Sequence, residues 1–479
     1  MTVMSLRWLG FGVVAALAAC ASGNTRGPGS QRTDPLRNYD PNRSPVTGST
    51  GEFATIYRSM GLAASGAPIF FVGDVAYFAT SSPDTTLVVV GMSLPNKGLS
   101  FTRDQGSQSS GYSASYAVDV SLTGTAGVAA HASDSESVRV PTFKEISRTD
   151  ESVIYRRPFK VAPGNYVVSY AVRDGGSNRT GSQRLPIAVP RFNPSAPAAL
   201  STVEPVYEAQ PRTQLDSAPA YLPAPRASYV FGVDDSASVY LESYDPKAPV
   251  SVQLRTPDGA VAWQGTRTLV VRGPRLASGI VTIPLAHADV GIGTIVATVA
   301  GSPDTLGTRI FVGFGPDLPV LSFNAMLGYL RFFSTPAVLK PLYDAKPEER
   351  GARWAEFLRA TDPNPSTPQN EALDDYFGRV RDANAIFLSD TPQGWLSDRG
   401  MVFVTLGQPS NSYEDYGSMY MGDFAVAGEM ATRVKILVWE FSQYQTQIIF
   451  YDPNDTGQWR LTRPSMAVFQ SLLSRKMNR

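Results

Sequence analysis

Hydrophobic and polar positions alternate with period two through most of the chain from Phe53 to Gly313, and with a helical period after Leu318. In YSASYAVDVSL, Tyr112, Ala114, Tyr116, Val118, Val120 and Leu122 fall on one face, and Ser113, Ser115, Asp119 and Ser121 on the other. That predicts a strand with one wet side. TLVVVGMSL, SVIYRRPFKV and NYVVSYAVRD predict further strands, spaced by Gly, Pro, Asn and Asp turns as in a sandwich of short antiparallel strands. PGNY at Pro163–Tyr166 fits an immunoglobulin-like tyrosine corner, in which the phenol bonds back to nearby backbone. Residues 53–190 are therefore expected to form a first β-sandwich.

A Pro- and Ala-rich stretch, residues 191–226, reads as a linker, although VEPVYEA within it could add an edge strand. Residues 227–317 return to period two, with Pro257-Asp258-Gly259 as a hairpin turn, and predict a second sandwich. GTIVATVAGSPDTLGTRIFVGF echoes GNYVVSYAVRDGGSNRTGSQRLPIAV: each reads strand, polar turn, strand. Two related sandwiches in tandem would produce this echo, and so would generic β alternation.

Residues 318–479 begin with two helical segments, KPEERGARWAEFLRA and STPQNEALDDYFGRVRDANAIFL. The second carries one stripe of Leu373, Tyr376, Phe377, Val380, Ala383 and Phe387, with Ser366 or Thr367 and Pro368 as its start. MVFVTLG, VKILVWEF, QIIFYD and WRL predict strands, and PSMAVFQSLLSRKM a closing helix. The expected fold class is multidomain and mostly β: two tandem immunoglobulin-like antiparallel β-sandwiches followed by a C-terminal α+β domain.

The N-terminus changes the picture of where the protein resides. MTVMSLRWLGFGVVAALAAC has one positive charge, Arg7, then roughly a dozen apolar residues, too few to cross a hydrocarbon core. Leu17-Ala18-Ala19-Cys20 resembles the lipobox of bacterial lipoproteins, whose cysteine is lipidated and becomes the mature N-terminus. Residues 1–19 are thus expected to be a lipoprotein signal peptide, with ordinary cleavage near Ala21 as the alternative. Residues 20–52 are expected to comprise lipidated Cys20 and a flexible tether, typically about 30 Å end to end. Cys20 is the single cysteine, so no disulfide can form within the chain. In the lipoprotein sorting pattern Ala21 after the cysteine implies the outer membrane, with membrane attachment through Cys20 and envelope proteins as partners.

Composition narrows the chemistry. Lys plus Arg and Asp plus Glu both number 42, so no basic excess points to nucleic acid. There are two histidines, His131 and His287, in different expected sandwiches, and no G-x-S-x-G, Walker-A or H-E-x-x-H pattern. No nucleotide, metal or other cofactor, and no catalytic triad, is expected from these motifs. Carboxylate-only catalysis stays open through Glu371, Asp374, Asp375 and Asp398. Acids in a first helical turn also stabilise the helix dipole without any chemistry.

GWLSDRG, Gly394–Gly400, has two readings. In one, Trp395 buries its indole, Asp398 accepts turn amides or pairs with Arg399, and Gly400 takes a positive φ before a strand. In the other, Trp395, Asp398 and Arg399 line a pocket.

The segment NEALDDYFGRVRDANAIFLSDTPQGWLSDRGMVFVTLGQPSN resembles the GWxTD domain, with matches at Asn370, Glu371, Arg379, Val380, Gly394, Trp395, Asp398, Arg399, Gly400, Gly407 and Pro409. Asp362-Pro363 and Val438–Phe441 also match, and Ser397 stands where the family has Thr. The resemblance covers roughly residues 320–479 and implies a bacterial envelope protein, secreted or lipid-anchored. It supplies architecture and location, not a reaction. Candidate binding residues are Trp395, Asp398, Arg399, Asn370, Glu371 and Arg379.

The expected function is a non-catalytic binding or assembly module on a lipid anchor. The alternatives are a carboxylate-dependent glycan or peptidoglycan hydrolase, and a structural subunit of an outer-membrane complex. The hydrolase needs the carboxylates to converge at about 5 to 9.5 Å. The subunit needs an exposed apolar surface, for which the Tyr- and Met-rich segment Asn411–Met430 is the candidate, unless it is merely a loop.

Overall fold

The alternation in YSASYAVDVSL becomes a strand from Tyr112 to Gly124, with Ala114, Tyr116, Val118, Val120 and Leu122 buried. It belongs to a computed structural model that describes residues 47–477, apart from 105–110, 147, 149–150, 193–199, 246–247, 300–304, 316–317, 367–369 and 420–431. Cys20, the signal peptide and most of the expected tether lie outside the described residues.

The first sandwich has β1 (Val72–Ala79), β2 (Thr86–Leu94), β3 (Tyr112–Gly124), β4 (Gly127–Val140), β5 (Val153–Val161), β6 (Gly164–Asp174) and β7 (Thr180–Val189). Sheet β1-β2-β5 faces sheet β4-β3-β6-β7. The second sandwich has β8 (Glu204–Gln210), β9 (Ser236–Ser243), β10 (Val250–Arg255), β11 (Val261–Arg267), β12 (Leu276–Pro284), β13 (Gly291–Val299) and β14 (Thr305–Gly313). Its sheets are β8-β9-β12 and β11-β10-β13-β14, each extended by short edge strands. Strand for strand the two topologies coincide. The sequence echo is the last hairpin of each, β6–β7 and β13–β14.

Local chemistry explains the turns. Gly259 at φ +90 closes the β10–β11 hairpin, its N–H donating to the Thr256 carbonyl at 2.9 Å. The Tyr166 hydroxyl donates to the Ala162 carbonyl at 2.9 Å, as a tyrosine corner requires.

Three elements differ from expectation. Phe53 does not begin a strand: Thr47–Ser59 is a helix, α1, which takes in the end of the expected tether. Phe53, Ala54, Ile56, Tyr57 and Met60 recur at helical spacing and bury in the core of the second sandwich, not the first. The stretch 191–226 is more than a linker, since β8 opens the second sandwich and Ala220–Pro223 pairs beside it. Its prolines fit because β8 meets β9 at only two registered positions, Glu204 and Pro205. Finally, MVFVTLG is helical, for reasons set by the site below.

The two sandwiches share a buried face. Every residue of β2 is buried, because its inner face packs within the first sandwich and its outer face meets the second. Ala76, Phe78, Leu87 and Val89 contribute from one side of this junction, and Val206, Tyr221 and Tyr240 from the other. At one end Arg212 pairs with Glu242 at 2.7 and 2.8 Å while donating to the Ala79 carbonyl at 2.7 Å.

The C-terminal part has α2 (Phe323–Tyr329), α3 (Pro336–Tyr343), α4 (Arg350–Thr361), α5 (Glu371–Ile386) and α6 (Asp398–Leu406). An antiparallel sheet follows, β15 (Asn411–Met419), β16 (Thr432–Phe441) and β17 (Thr446–Asp452), closed by the short strand Arg460–Leu461 and by α7 (Arg463–Met477). Asn411–Met419, part of the segment expected to be either an exposed apolar surface or a loop, is thus a paired strand. Residues 420–430 of that segment lie outside the described residues. Phe323, Met326, Leu327, Trp354 and Phe357 bury with the second sandwich, so the helical layer and that sandwich share one core.

Candidate functional site

GWLSDRG is a helix start. Gly394–Leu396 form a 3-10 turn, and Ser397 caps α6, its hydroxyl accepting from the Gly400 amide at 3.0 Å and donating to the Gly394 carbonyl at 2.7 Å. An apolar run such as MVFV fits a buried strand or a buried helix equally, and the cap decides. Only the hydroxyl is used, so serine does the work of the family's threonine. Ser397→Ala is expected to cost about 1 kcal/mol, and Ser397→Thr much less. Urea unfolding followed by tryptophan fluorescence checks this; equal losses would contradict the capping role.

Both glycines serve close packing. A methyl built on Gly394 would lie 2.3 Å from the Ala383 carbonyl oxygen of α5, and one on Gly400 2.0 Å from the Gly394 carbonyl oxygen. Gly400 is not among the positive-φ residues, which corrects the conformational role expected for it. The motif clasps the end of α5 to the start of α6.

The polar heads turn inward. Trp395 is 2% exposed and stacks on Tyr329 at 4.8 Å and 15°, with Phe332 edge-on at 5.8 Å and the Arg331 guanidinium 5.0 Å from its ring. Its amide donates to Asn384 Oδ1 at 3.2 Å, while its indole N–H is buried without an acceptor among the described residues. Asp398 accepts from the Leu461 amide at 2.6 Å, tying α6 to the last strand of the sheet. Arg399 does not pair with Asp398. It forms two bonds to Asp390, at 2.9 and 2.6 Å, with both side chains 4% exposed.

The upstream matches are also joints. Asn370, not Ser366 or Thr367, caps α5: its Oδ1 accepts from Leu373 at 3.0 Å, and its Nδ2 donates to Leu358 at 2.9 Å and to Thr361 at 3.0 Å. Glu371 is exposed in the first turn of α5. Arg379 donates to the Val404 carbonyl at 2.9 Å and to Asp375 at 2.5 Å. Lys476 donates to the neighbouring Thr405 carbonyl, and Gln443 to that of Leu406 at 3.0 Å. Three side chains thus meet the bare C-terminal carbonyls of α6. Burial, with Arg379 adding to it, pushes the Lys476 amine down to about 8.

The carboxylates do not converge. Asp375 is held through Arg379 at the C-terminal end of α6 and Asp398 lies at its first residue. Nine residues at about 1.5 Å each separate those ends by roughly 13 Å, outside the glycosidase range. His131 bonds Asp119 at 2.8 Å on the exposed face of the first sandwich, and His287 lies exposed on the second. Among the described residues no group of three His, Cys, Asp or Glu side chains could hold a metal ion.

Sequence reasoning missed Asp390, Asn384 and Tyr329, whose roles depend on pairing across elements and carry no local signature. It also missed the junction acids Asp74 and Glu204. For Asp74 a signal existed: in GDVAYFA the acid shares a face with Ala76 and Phe78.

Fold and site define a multidomain, mostly β protein whose C-terminal α+β part is organised around a helix-capping clasp. Residues 311–420 match the GWxTD domain, so the chain carries that domain. The match contains the clasp and the caps of α5 and stops before β16. No curated protein matches the chain in sequence. Among solved structures, a biofilm-associated protein BSP domain is 7% identical, covering 57% of this chain and 54% of its own, with a TM-score of 0.16. The β-glucuronidase of Bifidobacterium dentium, complexed with coumarin-3-O-glucuronide, is 11% identical over 48% of this chain and 39% of its own, at 0.16. Fibronectin(III)-like modules of Clostridium thermocellum CbhA are 13% identical over 50% of this chain and 94% of their own, at 0.13. The chain thus spans about half or less of the first two, and at these scores no argument rests on any of them.

Proposed function

We propose that this is a lipid-anchored bacterial outer-membrane protein whose GWxTD domain and tandem sandwiches present a binding or assembly surface and do no chemistry of their own. The observation that carries the reading is the use made of the motif. Trp395, Asp398, Arg399, Asn370 and Arg379 each bond or pack to another part of the same domain, which makes the motif a rigid support. Binding surfaces gain from such support, because less ordering is lost on association. The lipobox at Leu17–Cys20 supports the anchor, and the lone cysteine is where lipidation needs it.

Two measurements test the two halves. Cys20→Ser is expected to abolish incorporation of a labelled fatty acid and to move the protein from the membrane to the soluble fraction. Label retained by that variant would end the lipoprotein reading. Purification of the anchored protein from native membranes in mild detergent is expected to recover envelope proteins in fixed ratio. Recovery of this chain alone would count against binding and assembly together.

A further inference from the structure

The junction between the sandwiches holds two acids that no salt bridge among the described residues neutralises. Asp74 projects from the outer face of β1 and Glu204 from the start of β8; both border one cleft, and each carboxyl acts on the other. They are 6% and 3% exposed. Two ionised carboxylates buried beside each other without a counter-ion repel, so the pair favours keeping one proton. Asp74 Oδ1 has no hydrogen-bond partner, and it lies over Gly91, where a methyl would meet it at 2.0 Å. Gly91 therefore makes the room that lets the carboxyl lie across β2.

The surrounding groups do not cancel the pair's charge. Arg156, opposite Gly91 on β5, is the cation that acts on Glu204, but it points at the Pro219 carbonyl and sits 4.3 Å from the centre of the Tyr221 ring. Tyr170 reaches through from β6 and donates to the Asp74 carbonyl at 2.7 Å. Glu151 adds negative potential, while accepting from the Arg226 amide at 2.8 Å and from the Tyr207 hydroxyl. Tyr77 of β1 packs toward the core of the first sandwich and acts on Tyr170. With one proton, the two acids and Arg156 sum to zero; without it, an uncompensated negative charge is buried.

The rest of the junction is held by other bonds. A short distance along β1, Thr202 accepts from the Tyr77 amide at 2.8 Å and donates back to its carbonyl at 3.1 Å. The Ala79 amide donates to the Tyr244 hydroxyl at 2.7 Å, beside the Arg212–Glu242 pair. One end of β1 is thus permanently latched. A cleft of about 700 Å³, bordered by Asp74, Glu204, Ile187 and Arg309 and reaching Tyr77 and Thr202 at the latch, brings solvent up to the acids.

We infer that the junction is a proton-operated hinge: it pivots at the Tyr77–Ala79 latch, stays closed while the Asp74–Glu204 pair holds a proton, and loosens when both acids ionise. Burial raises both carboxyls, Asp74 to about 6 and Glu204 well above its ordinary range, with each also acted on by the other. The sign follows directly. The closed form holds protons that the open, hydrated form gives up, so closure is favoured at low pH and lost as pH rises through the pair's upper step.

Hydrogen exchange of the full-length protein tests this, with β2 amides read against β10 amides to remove the intrinsic pH effect. Protection of β2 is expected to fall by about tenfold for each pH unit above the upper step. In Glu204→Gln, where the amide cannot ionise, this dependence is expected to vanish. Asp74→Asn, which also leaves a single acid, is the second variant should circular dichroism show that Glu204→Gln does not fold. A flat wild-type profile across the pH range in which the protein stays folded would overturn the hinge whatever the variants do, and so would a dependence that survives in a folded variant.

Discussion

Replacing Arg399 by leucine is expected to destabilise the C-terminal domain by about 3 to 5 kcal/mol, the cost of leaving a buried charge without its partner. Asp390 is 4% exposed and would lose both hydrogen bonds at once. The guanidinium also lies 4.9 Å from the centre of the Phe387 ring and 5.9 Å from that of Trp459, so packing is lost along with charge. Removing both charges is a different matter. The double variant Arg399→Leu with Asp390→Leu is expected to regain most of the loss, because a buried pair contributes little beyond the cost of burying it. Urea unfolding of the four-member cycle gives the coupling. If the single and double variants are equally unstable, the pair is not what holds the clasp.

Gly400→Ala is expected to cost on the order of 3 kcal/mol or more, at the upper end for an overpacked interior. The added methyl would sit 2.0 Å from the Gly394 carbonyl oxygen and 2.7 Å from Trp395 Cα, and neither backbone atom can swing aside. Gly378→Ala in α5 is the natural control. There the nearest atom is the Arg381 guanidinium at 3.7 Å, so alanine fits and helix propensity favours it by about 1 kcal/mol. Opposite signs for the two substitutions in thermal unfolding are the expected result. A mild effect at Gly400 would mean that the clasp yields, and the support assigned to the motif would be lost with it.

The parts legible in the sequence were those governed by neighbours along the chain. Alternation located β3, β6 and β10; Pro257-Asp258-Gly259 located a hairpin; PGNY located the tyrosine corner. What escaped was decided by contacts across the chain. MVFV could not be told from a strand until Ser397 was seen capping toward Gly400. Phe53 was assigned to a sheet because its helical stripe is short and runs into β alternation soon after. At the site, the sequence pointed to Trp395, Asp398 and Arg399, but not to Tyr329, Leu461 and Asp390, the groups that receive them. Those partners lie between 9 and 66 residues away and belong to no spacing rule.

The docking of α1 has a mechanical meaning. Phe53 and Tyr57 pack edge-on against Phe311, the Tyr57 hydroxyl meets that of Ser228 at 2.9 Å, and Arg309 holds the Ser59 carbonyl. A pull on the N-terminus would therefore enter the molecule at the second sandwich, and pass through the shared core into the GWxTD domain. The first sandwich, joined to the second across their shared buried face, would lie beside this load path rather than in series with it.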